Sequence, residues 1–233
     1  MPNFTVKWDQ QGERLYETGV DRVVLYPLPD TIPTTGTPYI KGVPWNGVTS
    51  ISQSASGGEP SPLWADNIKY LNLISAEEVT LSIEAYTYPE EFEECDGSRA
   101  IVTVGDNNVH AAIVGQQPRK MFGLSYRTLI GNDIRQSEYG YKLHLVYGCL
   151  ASPTDRSYAT VNDSPEAISF SWSVTTTPVD ITGFKPSAVV IVDSTKATAS
   201  KLSDLEQLLY GDGTADPKLP LPQEVIDTLK VTG

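Results

Sequence analysis

The chain has 233 residues, of which 29 are acidic and 17 basic, for a formal net charge of −12. That balance argues against affinity for nucleic acid, because phosphate binding needs clustered Lys and Arg. A hydrophobic content of 39% is too high for a disordered chain and suits one β-rich domain over residues 1–233.

The opening segment, Met1–Trp8, has no basic stretch followed by an apolar one, so no signal peptide is expected. The most continuous apolar run, Ala188–Val192, is far short of the roughly 20 residues of a membrane helix. Cys95 and Cys149 are the only cysteines and lie far apart, which does not fit a disulfide-stapled secreted fold. Synthesis and residence in a reducing cytosol are therefore expected.

Residues 1–21 read as an N-terminal arm, followed by a strand at Val23–Tyr26 and a Pro/Thr-rich loop at Pro27–Gly36. Further strands are expected at Trp45–Ala55 and Ile68–Ile74. Between them, residues 56–66 include Ser56-Gly57-Gly58-Glu59-Pro60-Ser61-Pro62 and read as a long inter-strand loop, since a tight hairpin needs only two turn residues. Loops of this length usually serve a function. Val79, Leu81, Ile83 and Ala85 alternate with Thr80, Ser82, Glu84 and Tyr86, the period-two mark of a half-buried strand. Pro89–Cys95 opens with Pro and carboxylates and stops before Gly97, as a short helix does.

Downstream, Lys120–Leu129 is a less regular strand, whereas Tyr141, Leu143, Leu145, Tyr147 and Cys149 alternate with Lys142, His144, Val146 and Gly148. The clearest alternation sets Ile168, Phe170, Trp172 and Val174 against Ser169, Ser171, Ser173 and Thr175. Ser187–Asp193 holds a Val/Ile run that suits a strand buried on both faces. Residues 198–210 read as a helix with a Leu202, Leu205, Leu208, Leu209 stripe, ended by Gly211. Residues 211–233 form a Pro-rich C-terminal tail with a short helix over Pro222–Leu229.

The sequence offers no catalytic constellation. His110 follows a turn at Gly105–Asn108, and His144 sits on the polar side of a strand; neither has a local nucleophile or acid in sequence. No paired Cys/His spacing suggests a metal, and no phosphate-binding or nucleophile-elbow pattern occurs, so no cofactor and no enzymatic activity are expected. The cluster Glu90, Glu91, Glu93, Glu94 and Asp96 reads as a solvated acidic face. Asn162-Asp163-Ser164-Pro165 reads as a turn.

Several blocks carry a resemblance. They are Arg14–Asp21 (RLYETGVD), Val24–Pro27 (VLYP), Trp45–Thr49 (WNGVT), Ala65–Tyr70 (ADNIKY), Glu84–Glu90 (EAYTYPE) and Cys95–Gly97 (CDG). They continue with Tyr126–Asp133 (YRTLIGND), Tyr139–Lys142 (YGYK) and Ala159–Glu166 (ATVNDSPE). In this order, from about residue 10 onward, the chain resembles the major tail tube proteins of long-tailed, siphovirus-type bacteriophages and prophages of Gram-positive bacteria.

The resemblance implies two packed antiparallel sheets with a flanking α-helix. Six copies would form a ring whose sheets join into a β-barrel, and rings would stack into the channel for genome delivery. The implied partners are further copies of the chain, a tape-measure protein, a tail terminator and a distal tail protein. DNA would pass without specific binding, and no membrane would be involved. The implied location is the virion tail, with assembly in the host cytoplasm.

On that basis Thr80, Ser82, Glu84, Ser169, Ser171, Ser173 and Thr175 are expected to line a polar, net negative lumen. The 56–66 loop, with Gly57, Gly58, Glu59, Pro60 and Trp64, is expected to grip the next ring. A sugar-binding β-sandwich of the phage tail, a receptor-binding or decoration protein, is the competing expectation, with Trp45, Trp64, Tyr86 and Tyr88 as stacking platforms.

Overall fold

The computed structural model describes residues 5–33, 36–75, 77–104, 109–161, 163 and 167–230. The fold is mainly β, with 47% strand against 11% helix, and all strand pairing is antiparallel. The expected turn at Gly105–Asn108 lies outside the described residues, as does all but Asp163 of the one expected at Asn162–Pro165.

Two layers share one long strand. The first layer runs in the order β2 (Val43–Pro44), β1 (Leu15–Pro27), β9 (Phe122–Asn132), β10 (Gln136–Ala151), with β12 (Val189–Asp193) on the far side of β10. Near its C-terminal end β10 pairs with β11 (Phe170–Thr175), which continues the ladder to β6 (Glu77–Ala85) and the edge strand β3 (Val48–Gly57). The strand changes layer at Gly148, whose φ is +60 and where a Cβ would collide with the Thr177 carbonyl oxygen. Among the described residues no barrel closes within one copy.

The centre of the first layer, where β1, β9 and β10 run side by side, is buried on both faces. One face of β1 gives Val23 and Leu25 to the space between the layers, where they join Phe122, Leu124, Tyr126 and Val146 against Leu81, Ile83, Trp172 and Val174. Trp172 anchors this core, with Trp45 and Phe92 packed around it at ring separations of 5.4 and 5.2 Å. The opposite face gives Val24, Tyr26, Leu143, Leu145 and Tyr147 to two helices, α1 (Ala199–Tyr210) and α2 (Pro222–Leu229). The leucines at 202, 205 and 209 bury the stripe legible in the sequence, and Gly211 at φ +80 ends α1.

Polar tips of buried aromatics fix this outer layer. The Tyr26 hydroxyl donates to the Leu209 carbonyl at 2.8 Å, and the Tyr147 hydroxyl donates to the Pro220 carbonyl at 2.8 Å. Residues 211–230 are therefore not a loose tail: Leu219 and Val225 are buried against the sheet. Likewise, part of the expected N-terminal arm is strand, since Leu15–Thr18 pair with residues 129–132 of β9.

Three other expectations change. Pro89–Cys95 is a single 3-10 turn, Glu90–Phe92, followed by further turns, with Phe92 and Cys95 pulled into the core. β12 is buried on one face only, because it is an edge strand that turns Ile191 outward. Two strands that the sequence did not suggest, β7 (Arg99–Val104) and β8 (Val109–Val114), pair with each other outside the main sheet.

Candidate functional site

The outward face of β3, β6 and β11 is a hydroxyl array set by strand register. Cross-strand rows place Ser50 beside Glu84 and Ser171, Ser52 beside Ser82 and Ser173, and Ser54 beside Thr80 and Thr175. A fourth row pairs Ser56 with Glu78. Directly opposed residues sit about 4.5–5.5 Å apart, so these side chains form one continuous surface. It holds two carboxylates, Glu84 and Glu78, and no Lys or Arg. The Ser50 hydroxyl donates to Glu84 at 3.1 Å and steadies that carboxylate on the face.

Six of the seven residues expected on this face are thus brought together. Ser169 is exposed but precedes β11, which starts at Phe170. The β3 column, Ser50, Ser52, Ser54 and Ser56, joins them and was not expected. Its period-two serines were present in the sequence, but the facing positions Ile51, Gln53 and Ala55 are too mixed to mark a buried side. Gln53 nevertheless points inward and donates to the Tyr126 hydroxyl at 2.6 Å.

The second surface grows from the same strands. The expected 56–66 loop is not a loop. Gly57 ends β3, Gly58 and Glu59 form a short joint, and Pro60 and Trp64 belong to β4 (Pro60–Ala65), paired with β5 (Ile68–Ile74). The true turn is Asp66-Asn67, with φ of +51 and +63. Positive φ at both central positions is what a two-residue type I′ hairpin demands, and Asp and Asn tolerate it. Gly57 and Gly58, at φ +80 and +71, instead make the joint between sheet and hairpin.

This hairpin arm is mostly apolar on both sides, with Ser61 and Lys69 interrupting one face and Asn72 the other. Register puts Leu63, Trp64, Leu71 and Leu73 on one face and Pro60, Pro62, Ile68, Tyr70 and Ile74 on the other. Trp64 is 68% exposed, Tyr70 67% and Ile74 70%. A two-stranded hairpin is marginal alone in water, and this one exposes more contiguous apolar surface than scattered surface residues do.

At the opposite end of β6, the 3-10 turn and the β7–β8 pair form a third feature. The acidic cluster there is not a simple solvated face. The Glu93 carboxylate accepts from His110 Nδ1 at 2.7 Å, Glu94 holds Lys120 at 2.5 Å, and Asp96 pairs with Arg156. Only Glu90 and Glu91 are exposed. Beside this turn, β7 and β8 expose Ile101, Val102, Val104, Ile113 and Val114.

The histidines are otherwise employed. His144 is buried, stacks on Tyr126 at 4.6 Å and meets the Thr128 hydroxyl at 2.9 Å; burial holds its pKa below the usual imidazole value. Its Nδ1 has no hydrogen-bond partner, so no carboxylate orients it as in a triad. Burial pushes the Cys95 thiol up to about 12 and that of Cys149 higher still, so neither is an activated nucleophile. Among the described residues no cluster of three or more His, Cys, Asp or Glu could hold a metal, and no helix is long and apolar enough to cross a membrane. Of the four aromatics expected as sugar platforms, Trp45 is core, its indole N–H donating to the Thr87 carbonyl at 2.9 Å, and Tyr88 packs edge-on to Trp172.

No family model matches the chain, and no curated protein matches it.

Proposed function

We propose that this chain is a structural subunit, not an enzyme, and that it builds the tail tube of a long-tailed bacteriophage. Six copies close into a ring, and rings stack head to tail into the channel for genome delivery. The reading rests on the sequence resemblance and on one structural observation. A single ladder, β3 with β6, bears a hydroxyl face with carboxylates and no cation, then continues past Gly57-Gly58 as an arm that is mostly apolar on both sides.

Each part has a physical use in a tube. Among the described residues the β3 edge is unpaired, and the β11 edge meets β10 at Val174 and Thr175, with the Ser152 N–H also donating to the Ser173 carbonyl, which leaves its N-terminal end open. Open edges invite pairing between chains, which ring closure satisfies. Three strands from each of six copies give about 18 strands, a size at which closed barrels leave an aqueous channel. The hydroxyl face lines that channel. Charges act on passing DNA only within a Debye length of about 8 Å, so Glu84 and Glu78 matter most, and they repel. The arm supplies the heterologous axial contact. A tape-measure protein, a tail terminator and a distal tail protein complete the particle, assembled in the host cytoplasm.

Electron microscopy of the purified chain tests the reading. Long tubes with a central hole, or six-fold rings, are expected. A chain that stays monomeric with and without its tail partners, and binds glycans, refutes it.

A further inference from the structure

Next to the β7–β8 pair lies a polar cavity of about 600 Å³, lined by Asp96, Ser98, Gln116, Gln117, Arg119 and Arg156 among others. Arg156 is paired with Asp96, but Arg119 is different. It enters none of the ion pairs among the described residues, and its buried Nε has no hydrogen-bond partner. The backbone makes room for this guanidinium. Gly97 sits at φ +84, and a Cβ there would come within 3.1 Å of the Arg119 Cζ. A half-buried guanidinium without a counter-charge suits a carboxylate brought by another molecule, which it can grip through two parallel hydrogen bonds.

Register places this cavity opposite the arm. β6 meets Gly57, at the arm joint, through Glu77, and meets Val48 and Phe170 at its other end through Ala85. Eight residues of strand put those ends about 26 Å apart. Beyond Ala85 the chain enters the 3-10 turn and the cavity; Arg156 lies over the Tyr88 and Phe170 rings there. The arm and the cavity thus point in opposite directions along the strands, as a head-to-tail contact requires.

We propose that the cavity around Arg119 receives the arm tip of a second copy, with Asp66 as the incoming carboxylate. This rests on the tail-tube reading and names the receptor for its arm. Asp66 is exposed, forms no ion pair among the described residues, and leads the hairpin at its turn. The apolar flank agrees. As the tip enters, Leu63, Trp64 and Leu71 of one copy meet Ile101, Val102 and Ile113 of the next, all of them exposed in the single chain.

A charge swap tests the pair in the full chain. Asp66→Lys and Arg119→Glu are each expected to lower tube yield by about tenfold or more, because like charges then face each other across the contact. The double variant is expected to recover most of that loss. A second measurement does not depend on how Arg119→Glu folds. Asn67→Cys with Gln116→Cys, both exposed positions, is expected to form disulfide-linked chains upon oxidation of assembled tubes, since the native cysteines are buried.

Single charge variants that assemble like the parent chain, a double variant no better than the singles, or tubes without cross-links overturn the inference. If deleting the arm still abolishes tubes in that case, the tail-tube reading survives and only the receptor is wrong. A parent chain that never polymerises removes both.

Discussion

The β3–β6 ladder and the β4–β5 arm are two halves of one long hairpin, yet their surfaces obey different rules. Up to Gly57 the ladder is half-buried: Leu81 and Ile83 face Trp172, while Ser52, Ser82 and Ser173 face out. Beyond Gly58, β4 and β5 are exposed along their whole length, and both faces turn mostly apolar. On the proposed tube reading, the contrast separates residues that hold one copy together from residues that would hold copies to one another. An exposed polar face is complete as it stands in water. An exposed apolar arm is complete only when covered.

The sharpest break of that contrast is in the core under the ladder. Trp172→Ala is expected to cost about 3–5 kcal/mol, because the cavity left between the layers cannot fully collapse. Thermal unfolding should show a midpoint lower by about 10 °C at this chain length. By comparison, Trp64→Ser with Leu71→Ser should leave that midpoint within about 2 °C, since both side chains are already exposed, while tube formation seen by electron microscopy is lost. Equal destabilisation by both changes would mean the arm packs on its own copy.

The ladder's outer face is tested more gently. Glu78→Lys with Glu84→Lys should fold and assemble, but labelled duplex DNA should now be retained by the tubes at low salt and released as salt rises. DNA retention equal to that of the parent tubes would refute a channel role for this face.

The smallest effect expected lies in the outer layer, away from both surfaces. Asp21 accepts two hydrogen bonds from Arg127, at 2.7 and 2.5 Å, which hold its carboxyl below the usual range. A lowered carboxyl contributes stability that is full above its unfolded pKa of about 3.9 and is lost as pH falls through the folded value. Asp21→Asn should therefore be less stable at neutral pH by at most about 1 kcal/mol, the pair being partly exposed. The gap should close towards about pH 2 in denaturation measured across pH. A gap that persists there would assign the loss to packing.

The sequence makes the half-buried strands legible and the arm hard to see. β6 and β11 alternate strictly because each has one dry and one wet face, whereas the middle of β10 is buried on both faces, His144 and Val146 included. β7 and β8 do not alternate cleanly: register shifts on either side of Val102 put neighbouring apolar residues out of step. The arm misleads for another reason. Gly57-Gly58 followed by Pro60 and Pro62 has the composition of a loop, yet positive φ at the glycines makes a joint, and Pro is tolerated in a short edge hairpin. The hydroxyl face was legible on two of its three strands. The Arg119 cavity was not, because Asp96, Arg119 and Arg156 are brought together only by tertiary packing.

Gly148 carries the last lesson. β10 leaves the helix-covered layer and joins the layer of β11, β6 and β3 at that residue, so its backbone sets the dihedral angle between the two. In a closed ring every copy repeats that angle. An error of about 5° per copy would accumulate to about 30° over six, enough to leave a gap or turn the ring into an open spiral. A single glycine would then act as the mitre of the whole assembly, fixing how many copies fit around the axis without touching any neighbour.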